Sequence, residues 1–151
     1  MVSNRFLYNN EGIALVAILS VMAKMKTLES SKVFLILPFL LNDNLASFLK
    51  NKNSKVIGIQ DLVSRRIGSF LNFNGLYKNF YGLTFNAICI AEELKFIKVE
   101  PNSIIYLENS FDLHSDNLGL RAKNIVLASE KLKAILEIDA IELYSSLKIE
   151  L

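Results

Sequence analysis

The stretch that decides the fold begins Thr84-Phe85-Asn86-Ala87-Ile88-Cys89-Ile90-Ala91-Glu92-Glu93-Leu94-Lys95. It runs without a break into Phe96-Ile97-Lys98-Val99-Glu100, Pro101-Asn102-Ser103 and Ile104-Ile105-Tyr106-Leu107-Glu108. In the first part Ala87, Ile88, Ala91 and Leu94 recur at helical spacing, which predicts a helix over 85–95 with Thr84 as its N-cap. In the second part apolar and charged residues alternate on either side of a Pro-Asn-Ser turn, the pattern of a β-hairpin. A helix that passes straight into a short hairpin is the closing half of a winged-helix unit. The expected class is therefore mainly α (α+β): a helical domain with a winged-helix-like helix plus β-hairpin wing, followed by a long C-terminal helix.

Upstream, Gly12 to Met25 is almost wholly apolar, and Asn9 and Asn10 are suitable N-caps for it. On a helical wheel Ile13, Leu15, Ile18, Leu19, Val21 and Met22 cover nearly every direction, so this helix must be enclosed on all sides, by other helices of the domain, by a partner or by both. Lys32 to Leu41 carries both strand and helix formers, and Pro38 argues against a central strand. A helix kinked or started near Pro38 fits better. Asn42-Asp43-Asn44 is a turn or the cap of a short helix to Lys50, and 51–55 is a polar loop. A further helix starts at Gln60-Asp61 and reaches Leu71, anchored by Leu62, Ile67, Phe70 and Leu71. Tyr77, Phe80, Tyr81 and Phe85 are large enough to be core.

Downstream, Asp116 or Asn117 is the expected cap of a long helix to Leu136, with Leu118, Ala122, Ile125, Ser129, Leu132 and Leu136 facing inward. Leu120 and Leu127 lie seven residues apart on its opposite side, among polar residues, as an interface ridge would. Asp139 caps a last helix, Ala140 to Leu147, docked through Ile141, Leu143 and Tyr144.

The chain has 151 residues, a length that suits one domain over 1–151. Hydrophobic residues make up 52%, and mean hydropathy is +0.33. So apolar a chain is expected to leave apolar faces for a partner. Net charge is +2. The lone Cys89 cannot form an internal disulfide, which suits a reducing cytoplasm and a buried small side chain. The apolar run Ile13 to Ala23 is too short to span a bilayer.

Chemistry-bearing constellations are missing. One His and one Cys, distant in sequence, provide no metal site. His114, in Asp112-Leu113-His114-Ser115-Asp116, has no nucleophile elbow to serve. No glycine-rich phosphate loop occurs. No catalytic residue, cofactor, metal or small-molecule substrate is expected. Arg65, Arg66, Arg121 and Lys123, with Lys131 and Lys133, are the candidates for DNA-backbone contact, although Glu130 and Glu137 dilute them. The predicted wing helix carries Glu92 and Glu93, which disfavour it as a DNA reader. A free-standing winged-helix DNA-binding regulator is thus the second reading, and a membrane-associated protein using 13–23 the third.

The order of these features is similar to a known family. Tyr8-Asn9-Asn10 with the apolar helix, Phe34 to Leu41, the helix and wing from Leu83 to Leu107, Leu118-Gly119-Leu120-Arg121-Ala122 and the tail Ile141 to Ile149 together resemble the small middle component of bacterial three-component ABC systems. That group is similar to the accessory subunit of Lamassu-type antiphage defence. The resemblance implies a non-catalytic subunit that bridges an SMC-like ATPase subunit and an effector subunit, commonly a nuclease. DNA would be met through the complex. Tyr8, Asn9, Asn10, Leu120 and Leu127 are the candidate partner contacts.

Overall fold

The computed structural model describes residues 2–108, 112–115 and 118–151, with side chains from Asn10 onward. Helix α1 spans Val2–Met25 and β1 spans Thr27–Glu29. Four short helices and one intermediate one follow: α2 (Ser30–Val33), α3 (Ile36–Leu40), α4 (Asp43–Lys50), α5 (Ile59–Arg65) and α6 (Ile67–Phe70). The long α7 (Phe73–Glu93) leads into the hairpin β2 (Ile97–Val99) and β3 (Ser103–Tyr106). The chain closes with α8 (Leu120–Leu136) and α9 (Ala140–Ser146). The molecule is mainly helical with one small antiparallel sheet, an α+β fold.

The all-round apolar helix is the centre of the structure. Ala14 and Val16 to Met22 of α1 are buried, and α8, α7, α3 and the sheet pack around them. Ser20 is tolerated there because its hydroxyl donates to the Val16 carbonyl at 2.6 Å. From Ala14 to Met22 the enclosure expected of so apolar a helix comes from other elements of the chain itself. The start of α1 is corrected. Asn10 lies inside the helix, half-buried, rather than at its cap, while the side chains of Tyr8 and Asn9 lie outside the described residues.

The hairpin forms as its alternation predicts, and a third strand joins it. β3 is central, pairing antiparallel with β2 (Lys98 opposite Ile105) and with β1 (Leu28 opposite Ile104). Leu28, Ile97 and Ile104 turn inward onto the core. Three residues between two helices give too short a run to be read as a strand, which is why β1 escaped the sequence reading. Glu92 does more than face solvent: its carboxylate accepts the Val99 N–H at 3.0 Å and so tethers an edge strand to α7.

Several predicted boundaries shift. Pro38 sits in the first turn of α3, where a missing N–H has no intrahelical partner to lose. Asn42 caps α4 through its side-chain oxygen, which accepts from the N–H groups of Asn44 and Leu45. The helix expected over 60–71 breaks at Arg66 into α5 and α6, leaving Leu62 and Phe70 buried but Ile67 and Leu71 exposed. Thr84 is an interior residue of the unbroken α7 and no N-cap. The buried stripe of α7, Phe73-Tyr77-Thr84-Ala87-Ile88-Ala91, faces α1 and α3. Tyr81, Phe85, Leu94 and Cys89 therefore fall on its outer side, against the expectation that they are core. Asp116 and Asn117 lie outside the described residues, and the N-cap position of α8 is Gly119. The inward stripe of α8 is as expected from Ala122 to Leu136, extended by Val126, Ala128 and Ile135, while Leu118 lies half-buried ahead of the helix.

No single helix among the described residues is long and apolar enough to cross a membrane. The segment from α2 to α4 bends by 95°, and most of its apolar side chains lie in the core.

Two local features yield stability predictions. The Thr84 hydroxyl is buried with no hydrogen-bond partner among the described residues. Thr84→Val keeps the shape and removes that polar atom, so it should raise stability by about 1 kcal/mol; urea denaturation checks it. Lys95 has φ 63° at the end of α7, where Phe96 N–H bonds to the Ala91 carbonyl and Lys95 N–H to that of Glu92. That pair of bonds is a Schellman turn, whose left-handed position favours glycine. Lys95→Gly should likewise add about 1 kcal/mol, read from the same denaturation curves.

Candidate interaction surfaces

Among the described residues no group of three or more His, Cys, Asp or Glu could hold a metal ion. His114 is exposed, and the Asp112 carboxylate accepts its backbone N–H at 2.9 Å, which closes a local turn.

The α8 ridge stands where the sequence placed it. Leu120 is 76% exposed and Leu127 is 56% exposed, while Ala122, Ile125, Val126, Leu132, Ile135 and Leu136 of the same helix are buried. Lys123 and Asn124 lie between the two leucines, three and four residues on from Leu120, so Lys123 belongs to this ridge. Asn10 lies half-buried on α1.

A second apolar surface was not expected. α2, α7 and α9 enclose a groove of about 590 Å³ lined chiefly by Phe34, Tyr77, Tyr81, Tyr144, Ile141 and Ile149. Phe34 stacks on Tyr81 at 4.4 Å between ring centroids, and Tyr77 meets Tyr144 edge-on at 5.7 Å. The Tyr144 hydroxyl donates to the Ser31 carbonyl at 2.5 Å and lies 3.2 Å from the Tyr77 hydroxyl. Burial pushes its phenol pKa far above the ordinary range, and the Tyr77 hydroxyl adds to the shift. α9 is set by three anchors: the Asp139 cap, the fully buried Leu143 and a second Schellman turn at Lys148. Ile141, expected to dock, is instead 80% exposed on the groove's rim. The four-residue spacing of Tyr77 and Tyr81 was visible in sequence. Phe34 and Tyr144 join them only through tertiary packing.

The basic candidates separate into three groups. Arg65 is committed: it bonds Asp61 at 3.1 Å and the Lys55 carbonyl at 3.3 Å. Lys131 donates to the carbonyls of Asn51 and Ser54, and Lys133 sits 4.0 Å from Glu137. These two are structural. Arg66 holds its guanidinium 4.4 Å over the Phe48 ring, and Arg121 borders the exposed edge of α4.

Comparison with known proteins gives one match. The family model for the ABC-three component (ABC-3C) system Middle Component 3 matches residues 16–151. No curated protein and no solved structure matches.

Tyr144→Phe removes the donor to the Ser31 carbonyl and the hydroxyl beside Tyr77. Its expected cost is about 1 kcal/mol, since the exposed backbone at Ser31 can turn to water. Thermal melting followed by circular dichroism checks this.

Proposed function

Since the chain belongs to the ABC-three component system Middle Component 3 family, we propose that it is a non-catalytic accessory subunit. It bridges an SMC-like ATPase and an effector subunit, a nuclease, in a cytoplasmic antiphage or anti-plasmid defence complex related to Lamassu. A middle component of a multi-subunit system has protein partners. The observation that carries the bridging role is that two apolar surfaces remain outside a fully wrapped core. They share no lining residue: one is the α8 ridge of Leu120 and Leu127, the other the aromatic groove of α2, α7 and α9. A bridge needs two separate contact faces, and exposed apolar side chains are what buried interfaces are built from.

The helix–strand–helix–hairpin order, with strand order β1-β3-β2, supports reading α7 and its hairpin as a winged-helix element used for docking proteins. The outer face of α7 presents Tyr81, Phe85, Cys89, Glu92 and Glu93. Aromatic side chains suit a protein contact and the carboxylates of Glu92 and Glu93 repel phosphate, so the regulator reading is not favoured.

The ridge is assigned to the ATPase. Leu120→Asp with Leu127→Asp should lower its co-purification with the ATPase component encoded alongside it at least tenfold, with an unchanged melting temperature. Undiminished co-purification removes the ridge from the model. Failure of the wild-type chain to bind that ATPase at all removes the bridging role.

A further inference from the structure

α4 presents a polar edge between two notches. On one side Asn44, Ser47, Phe48 and Asn51 face Arg65, Arg66 and Ser69 across a notch of about 750 Å³. On the other, Asp43, Ser47 and Lys50 face Arg121 and Asn124 of α8 across a smaller one of about 140 Å³. Ser47 lines both, so the two notches flank one helical edge.

The cations here are positioned in an unusual way. The break between α5 and α6 falls at Arg66, whose backbone is non-helical at φ −126°, ψ 39°. Its guanidinium is held by the ring of Phe48, itself only 5% exposed. Among the described residues the Arg66 guanidinium has no ion-pair or hydrogen-bond acceptor, so a cation–π contact orients it while leaving the guanidinium N–H donors unmatched. Around it stand the hydroxyls of Ser47 and Ser69 and the amides of Asn44 and Asn51. Arginine with Ser and Asn side chains is the donor set that contacts phosphate oxygens. Four cations, Lys50, Arg65, Arg66 and Arg121, meet two carboxylates, Asp43 and Asp61, and Asp61 is already bound by Arg65. In a chain whose net charge is only +2, this edge is a local excess of positive charge.

We propose that the α4 edge binds the phosphodiester backbone of duplex DNA. One phosphate sits on Arg66 with Ser47, Ser69 and Asn44, and a neighbouring phosphate on Arg121 with Lys50. Positive charge and neutral donors select a phosphate chain. The ring nearest the site, Phe48, is buried and covered by Arg65 and Arg66, so single-stranded bases find no platform to stack on. The contact reads backbone and no sequence. It stands apart from the bridging role, since it needs only this chain.

The test is fluorescence anisotropy of the isolated full-length chain with a labelled 30-base-pair duplex, titrated from about 50 to 200 mM salt. The wild-type chain should bind with an affinity indifferent to duplex sequence. Arg66→Ala with Arg121→Ala should weaken binding at least tenfold and flatten the log K against log salt slope by about 2. Arg66→Lys should restore much of the loss, and Lys133→Ala should leave binding within twofold. If the double variant melts early, Arg121→Ala alone, at an exposed helix position, should still flatten the slope by about 1. Absence of wild-type binding at 50 mM salt, wild-type affinity in the double variant, or tighter binding of a single strand of equal length overturns the proposal. Loss of ATPase co-purification in the double variant, with no duplex binding by the wild type, would instead assign the edge to an acidic protein surface.

Discussion

Everything in this structure depends on enclosing one helix that has no polar side. From Ala14 to Met22 every residue of α1 but the half-buried Leu15 is buried, and no soluble arrangement leaves such a rod in water. The fold is the answer to that constraint. α8 lies along one flank, α7 along another, and α3 and the three-stranded sheet close the remainder. Small residues at Ala14, Ala17 and Ala128 let backbones come close, and Phe39 and Phe73 fill the space where α3 meets α7. Elements of three to five residues, with little stability of their own, hold their shape because each contributes a side chain to this core.

Once α1 is wrapped, what stays outside becomes informative. The exposed apolar side chains fall largely on α6, α7, α8 and α9, whose inner faces are spent on the core. The outer faces then divide by chemistry. The α8 ridge is aliphatic, the groove between α2, α7 and α9 is aromatic, and the edge of α4 is cationic and polar. A subunit of a multi-component system can use such division to keep its contacts from competing, since each surface favours a different kind of neighbour.

The legible parts of the sequence were those governed by periodicity and by capping chemistry. The hairpin could be read because Pro101-Asn102-Ser103 separates two alternating runs, and α9 because Asp139 precedes an amphipathic turn. Errors came where a local signal was overruled by packing. Thr84 has a cap's chemistry, yet α7 runs through it because Phe73 and Tyr77, about three and two turns earlier, are anchored in the same core stripe. Cys89 and Leu94 look apolar enough to be core, yet the stripe set by Thr84, Ala87, Ile88 and Ala91 turns them outward. Of the basic candidates, composition could not separate Arg65, held by Asp61 and the Lys55 carbonyl, and Lys131, held by the distant carbonyls of Asn51 and Ser54, from Arg66 and Arg121.

By itself the sequence determined the class, the central apolar helix, the helix-to-hairpin junction, the Leu120–Leu127 pair and the scarcity of His and Cys, because each is a property of spacing or composition along the chain. Only the tertiary structure decided that α1 is satisfied from within, that Phe34 and Tyr144 meet Tyr77 and Tyr81, and that α4 lies between Arg66 and Arg121. Those are contacts between residues tens of positions apart. Their partners are chosen by how the elements share one core, and no local pattern encodes that choice.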